Sequence, residues 1–286
     1  ILEKTMIHQF LKYKTFSLLT ICILGIFILR TLLAVNGNPP QLDNIFTLVI
    51  LIGSLVVLIL GYRDLLTKDW IFAISIGALV GLGMSCTTLF TPYPFFGIVR
   101  DNLGQAFVRG FCVTLSLLGG LVVMRWGGPV YFSAANGEWG KSGSAIFFGL
   151  LVGLPLSILN VFALKLTEDK GIVWQNPLSA LLDAFQPAIF EEVIYRFALW
   201  GLLWLVLRKT LPGQSVALAG LLATLVHTFQ HFDALFVQSP LAALGMGLGM
   251  ALVWGLPSYF LARRRGLESA IAFHWIQDVE RFFAGF

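Results

Sequence analysis

The sequence is divided by nine apolar runs, each long enough to cross the hydrocarbon core of a membrane. A helix rises about 1.5 Å per residue, so a run of about 20 residues spans roughly 30 Å of hydrocarbon. Lipid offers the backbone no hydrogen bonds, so such runs fold as helices, and the alternation typical of transmembrane strands does not occur in them. The runs lie near residues 16–35, 45–62, 69–90, 105–126, 143–165, 182–207, 215–236, 240–262 and 267–285.

Composition agrees with a lipid-facing protein. The chain is 57% hydrophobic and 12% charged, whereas a soluble domain is about 25% charged. We therefore predict an all-α polytopic membrane protein, a bundle of about eight or nine transmembrane helices around an intramembrane polar cavity. Residues 1–286 are expected to form one transmembrane domain, in which scaffold helices (about 16–126) precede the helices that carry the polar chemistry (about 180–285).

The basic residues predict an orientation. With the N-terminus in the cytoplasm, the outside segments hold only Arg100, Lys165 and Lys170. Cytoplasmic loops are normally enriched in Lys and Arg, so we expect an integral multi-pass protein of a bacterial cytoplasmic membrane with a cytoplasmic N-terminus. The net charge of +4 reflects these loops, and nucleic acid is not expected as a partner. The inside segments hold the remaining loop cations: Lys4, Lys12, Lys14, Arg63, Lys68, Arg125, Lys141, Arg208, Lys209, Arg263, Arg264 and Arg265.

The run near 182–207 carries Glu191, Glu192 and Arg196. A charged group at the centre of a membrane helix costs about 2.5–3.5 kcal/mol on insertion scales, so these residues require partners or a function. Glu192 and Arg196 are four residues apart and can form an ion pair on one helix face. Glu191 lies on another face with Tyr195 and is left without a basic partner in its own helix. A purely structural role, in which the three charges only join helices, is the alternative.

Two later runs carry histidines at helical spacing. The run near 215–236 contains His227 and His231, and the run near 267–285 contains His274 and Asp278, again four residues apart. A carboxylate can fix the tautomer of a histidine by accepting its ring N–H. From the predicted ends of the runs, Glu191, His227, His274 and Asp278 lie at depths that agree within roughly 6 Å. We expect these four side chains to meet in one layer of the membrane.

The order of these motifs resembles the CPBP (or ABI) family of intramembrane proteases, which includes the type II CAAX prenyl endopeptidases. The resemblance covers roughly residues 180–280. Glu191, Glu192 and Arg196 match a Glu-Glu-x-x-x-Arg motif, and the last run matches His-x-x-x-Asn/Asp at His274 and Asp278. The family's Phe-x-x-x-His motif has Ala223 in place of the phenylalanine before His227.

The resemblance implies a peptidase that needs neither a nucleophilic serine nor a metal or other cofactor. Glu191 would be the general base for a water that His227 also holds, and His274 with its partner Asp278 would stabilise the oxyanion. An ionised Asp278 cannot donate a hydrogen bond, so it would otherwise orient His274. The supporting residues would be Glu192, Arg196, Tyr195 and His231.

Three other functions compete with this interpretation. Glu191, the histidines and Asp278 could bind zinc in a membrane metalloprotease, although Thr228 stands where a zincin helix has glutamate. A proton-coupled transporter would use similar groups, but no internal repeat is evident. A non-catalytic scaffold could bind another membrane protein. In the peptidase interpretation, the partners are membrane lipid and a membrane-associated protein or peptide substrate.

Overall fold

The computed structural model of the chain describes residues 14, 17–18, 20–21, 24–25, 27–32, 42–87, 95, 97–167 and 170–286. These residues are mainly helical, and their only β-type pairing is an isolated bridge between Phe95 and Val99. The helices are α1 (Leu42–Gly61), α2 (Thr67–Ser85), α3 (Asn102–Arg125), α4 (Trp139–Thr167), α5 (Pro177–Glu191), α6 (Trp200–Leu207), α7 (Ser215–Phe229), α8 (Asp233–Gln238), α9 (Pro240–Met250), α10 (Leu256–Arg265) and α11 (Leu267–Phe283).

Five helical segments of the described chain are long and apolar enough to cross a membrane: Asn44–Asp64, Thr67–Ser85, Asn102–Arg125, Trp139–Thr167 and Pro240–Arg265. The protein is therefore an all-α membrane protein, as predicted. The count of eight or nine spans stays a prediction. Of the first predicted run, near 16–35, only scattered positions are described, and those are helical; the rest of that run lies outside the described residues.

The predicted run near 215–236 is not a single helix. Helix α7 ends at Phe229, and α8 begins at Asp233 after a turn. Phe232 in this turn has a φ of 68°, in the left-handed region that non-glycine residues seldom adopt. The residues of this turn are mostly polar, since Gln230 and His231 precede Phe232 and Asp233 follows it.

Helices α5 and α6 are joined without a break by a π-helical segment, Glu192–Leu199. Asn176 caps the start of α5 by accepting from the backbone N–H groups of Leu178 and Ser179, and Pro177 occupies the first turn. Short π-helical segments within α-helices are frequent at functional sites. Here the change of helix type begins directly after Glu191.

The π-helical segment lies in the interior of the molecule. Val193, Ile194, Phe197 and Trp200 are almost fully buried and belong to the main apolar core. Helix α3 packs against this segment, and Gly120 provides the space there, since a Cβ atom at Gly120 would collide with the Phe197 ring. The scaffold helices thus fix the helix that carries both adjacent glutamates.

Helix α11 packs along α4 through a close backbone contact at Gly149. A Cβ atom at Gly149 would lie 2.9 Å from Ala272 Cβ and 3.0 Å from Phe273 N. One turn further along α4, the Gln277 amide donates a hydrogen bond to the Gly153 carbonyl at 2.9 Å. Small residues at such contacts let membrane helices approach closely. This contact sets the position of the helix that carries His274 and Asp278.

We predict that Gly149→Ala destabilises the protein, whereas Gly143→Ala in the same helix does not, because no atom lies within 4 Å of a Cβ placed at Gly143. Overpacking at Gly149 is expected to lower the free energy of unfolding by about 1–3 kcal/mol. The measurement is the melting temperature of both variants in detergent. Equal melting temperatures for the two variants would show that α4 and α11 do not pack as described.

Candidate active site

The carboxylate of Glu191 meets two imidazoles from helices far away in the sequence. Glu191 Oε2 lies 2.7 Å from His227 Nε2 on α7 and 3.9 Å from His274 Nε2 on α11. The Glu191 side chain is 19% exposed and the His274 side chain 16% exposed. A carboxylate at this distance from His227 is in hydrogen-bonding contact with it, and the exposed fraction leaves one side of the cluster open.

Tyr195 holds the ring of His227. The two rings stack with their planes 2° apart and their centroids 4.9 Å apart. The Tyr195 hydroxyl donates a hydrogen bond to Gln230 Oε1, just beyond the end of α7. Tyr195 therefore ties the π-helical segment to α7 and restricts the orientation of the imidazole that contacts Glu191.

The Glu192 side chain is buried, whereas the Glu191 side chain is partly exposed. Glu192 is 1% exposed and is surrounded by donors from three helical segments. Ser258 Oγ on α10 donates to Glu192 Oε2 at 3.0 Å, and His274 Nδ1 lies 3.1 Å from Glu192 Oε1. Arg196 Nε lies 3.7 Å from Glu192 Oε2 and donates to Ser258 Oγ at 3.3 Å. This network fixes the orientation of Glu192 and binds α10 and α11 to the π-helical segment.

Asp278 contacts His274 from the other side. Asp278 Oδ2 lies 3.5 Å from His274 Nε2, and Asp278 Oδ1 lies 2.9 Å from Arg281 Nη2. With Glu191 and Glu192, Asp278 is the third carboxylate within 4 Å of the His274 ring nitrogens. The Asp278 carboxylate thus lies between Arg281 and His274, with one oxygen toward each.

His231 lies just beyond the end of α7, the helix that carries His227. The two imidazole rings are nevertheless neighbours, with their centroids 5.7 Å apart. The backbone carbonyl of His231 accepts a hydrogen bond from the Arg30 guanidinium at 3.0 Å, and Arg30 also pairs with Asp233. His231 thus belongs to a turn that is held by the segment before α1.

Three residues that complete the cluster were absent from the sequence prediction. Arg281 follows Asp278 at i+3, so helical spacing could have identified it. Ser258 and Gln230 lie on other helices or turns, and no local pattern connects either residue to Glu192 or Tyr195. Their contacts follow from the packing of α7 against the π-helical segment and of α10 against α7 and α11.

Two kinds of chemistry fit the open side of the cluster. A carboxylate beside imidazole groups can take a proton from a bound water, which is general-base catalysis. The same atoms also form a possible metal site, since one ligand atom each from Glu191, His227 and His274 lie within 4.8 Å of one another. Two histidines and a glutamate form the ligand set of some catalytic zinc sites.

Comparison with protein families identifies the same part of the chain. Residues 173–279 match the family described as type II CAAX prenyl endopeptidase, Rce1-like. The matched segment runs from the residues before α5 into α11 and includes Glu191, His227, His274 and Asp278. The match confirms the resemblance that the sequence motifs indicated. No curated protein and no solved structure gave a significant match.

We predict that Arg196→Met destabilises the protein strongly, because it leaves the charge of Glu192 buried without its nearest cation. Removing one partner of a buried ion pair costs about 3–5 kcal/mol. The control is Arg63→Met, at an exposed arginine beside Tyr62, for which no comparable loss is expected. Melting temperatures in detergent distinguish the two variants. If both variants lowered the melting temperature by the same small amount, Arg196 would not be the residue that neutralises Glu192.

Proposed function

We propose that the protein is an intramembrane peptidase of the CAAX type that hydrolyses a peptide bond of a membrane-associated protein or peptide by means of a glutamate-activated water. The observation that carries the proposal is the Glu191 carboxylate, partly exposed and 2.7 Å from His227. The family match over residues 173–279 supports a membrane protease. It does not by itself identify the catalytic residues, and their roles are part of the proposal.

In the proposed reaction, Glu191 removes a proton from a water that also contacts His227. The water oxygen attacks the scissile carbonyl carbon and forms a tetrahedral oxyanion. When this intermediate collapses, the C–N bond breaks and the leaving amine receives the proton that Glu191 had taken. The carboxylate is thereby regenerated, and the products are a new carboxylic acid and an amine.

His274 is proposed to stabilise the oxyanion through a ring N–H. Preorganised donors of this kind contribute roughly 10²–10³-fold to the rate in other hydrolases. Asp278 and Glu192 both contact the His274 ring, so this imidazole is held from two sides before the substrate binds. Glu192 and Arg196, closed off from solvent, keep the helix in register and are not themselves proposed to react.

Water has to reach Glu191 for this chemistry, and a polar cavity open on one side of the bundle is therefore part of the proposal. The contrast in exposure supports it, since the Glu191 and His274 side chains are partly accessible and Glu192 and Arg196 are not. A single-span or lipid-anchored substrate would approach from the membrane plane. The proposed location is a bacterial cytoplasmic membrane, with the N-terminus in the cytoplasm and lipid in contact with the outer helix faces.

We expect Glu191→Gln to abolish processing of the substrate. The amide keeps the shape of the carboxylate but cannot accept a proton, and loss of a general base lowers rates by about 10²–10⁴-fold. The measurement is a proteomic comparison of membranes from cells that produce the wild type or the variant. The matched control is Glu138→Gln, at the partly exposed glutamate beside Tyr131 and Lys141.

A fragment that is present with the wild type and with Glu138→Gln, and absent with Glu191→Gln, would support the peptidase. If wild type and Glu191→Gln gave the same fragments, the protein would instead be a non-catalytic scaffold that binds another membrane protein. In a scaffold of this kind, the network around Glu192 would only stabilise the fold, and the partly exposed Glu191 would have no catalytic role.

A zinc-dependent peptidase is the second candidate, favoured by the cluster of Glu191, His227 and His274. Two ligands of a tetrahedral zinc ion lie roughly 3.4 Å apart, given bonds of about 2.1 Å. The distance of 2.7 Å between Glu191 and His227 corresponds to a direct hydrogen bond. We therefore expect the purified protein to contain no stoichiometric zinc and to keep its activity in chelator. Zinc at one equivalent, with activity lost in chelator and restored by the metal, would establish the metalloprotease instead.

A further inference from the structure

Arg281 lies almost one turn beyond Asp278 on α11. Its Nη2 is 2.9 Å from Asp278 Oδ1, and its guanidinium carbon is 4.7 Å from the centroid of the Phe282 ring. The second oxygen of Asp278, Oδ2, faces His274 Nε2 at 3.5 Å. The Asp278 carboxylate thus divides its two oxygens between an arginine on the outer side and a histidine of the candidate active site on the inner side.

We propose that Arg281 is a positioning residue of the peptidase, which fixes the Asp278 carboxylate in contact with His274. The inference rests on the proposed function, because the position of His274 matters for the rate only if this histidine takes part in the reaction. It extends that function to a residue that the matched sequence segment, which ends at residue 279, does not include.

The charges around His274 explain why Asp278 needs this partner. Glu191 and Glu192 on the facing helix approach the same imidazole, and both repel a third carboxylate. Arg196 is engaged with Glu192 and Ser258. In the described part of the chain, Arg281 is the only arginine or lysine within 4 Å of Asp278, and His274 is its other ionisable partner. Without Arg281, the Asp278 side chain is expected to turn away from the two glutamates and toward the outer end of α11.

The effect of removing Arg281 should therefore depend on the residue at position 278. Asparagine has the shape of aspartate but no charge, so neither repulsion from the glutamates nor pairing with an arginine applies to it. Arg281→Met is expected to disturb His274 when residue 278 is aspartate and to have little consequence when it is asparagine. A residue that acts only through a neighbour shows this kind of non-additivity.

The experiment compares the wild type, Arg281→Met, Arg281→Lys, Asp278→Asn and the double variant Asp278→Asn/Arg281→Met in proteoliposomes. The probe is a fluorogenic, farnesylated peptide that ends in a CAAX sequence, and kcat and KM are measured separately. Arg100→Met, at the exposed arginine that bonds the Gly97 carbonyl, is the matched control. Glu191→Gln gives the background of the assay.

We expect Arg281→Met to lower kcat by about 10–100-fold, the range known for residues that orient the histidines of metal sites through a carboxylate, with KM changed less than about threefold. Arg281→Lys keeps a positive charge at this position and should retain more activity than Arg281→Met. In the Asp278→Asn background, Arg281→Met should change kcat by less than about threefold. An unchanged kcat in the aspartate background, or an equal loss in both backgrounds, would overturn the proposal. A rise in KM alone would show that Arg281 contacts the substrate.

The melting temperatures of the same variants test the pairing without any substrate. Arg281→Met should lower the melting temperature, and the added Asp278→Asn should restore most of the loss, because no unpaired carboxylate remains. Strictly additive shifts would contradict the proposal. If wild type and Glu191→Gln are equally inactive on the probe while the shifts are non-additive, the proposed activity fails for this substrate and the pairing of Arg281 with Asp278 stands.

Discussion

A carboxylate buried in a membrane protein has to be neutralised by partners, and Glu192 is the residue on which this requirement falls most heavily. It has almost no exposed surface, and its neighbours come from three separate segments: Arg196 within its own helix, Ser258 on α10 and His274 on α11. If any of these helices were displaced, the charge of Glu192 would lose a partner inside the hydrocarbon. The fold around the site is therefore constrained by electrostatics as well as by apolar packing.

The adjacent glutamate, Glu191, is partly exposed and not buried. Glu191 is turned toward the side of the cluster that remains open, where His227 is its closest partner. Consecutive residues of a helix point about 100° apart around its axis, so Glu191 and Glu192 face different surroundings although they are neighbours in sequence. One carboxylate is fully used in holding helices together, and the other retains access for a water or a ligand.

Much of this arrangement could be predicted from the sequence. The apolar runs predicted helices, and the spacing of Glu192 and Arg196 predicted their ion pair. The end of α7 at Phe229 was not predicted, because the predicted run continued through the polar residues Gln230, His231 and Asp233 to the apolar residues that follow them. The supporting role of His231 stays a prediction. Ser258 could not be predicted either, since a serine in an apolar helix has many uses and only the packing of α10 decides which one applies.

The central claim is that Glu191, His227 and His274 face one another inside the membrane. The most direct measurement is an electron cryo-microscopy structure of the protein in a lipid nanodisc. We expect His227 Nε2 in hydrogen-bonding contact with the Glu191 carboxylate, and His274 no farther from that carboxylate than one bridging water can reach, about 5.5 Å. A Glu191 side chain directed at lipid, or separated from either histidine by more than that distance, would contradict the central claim.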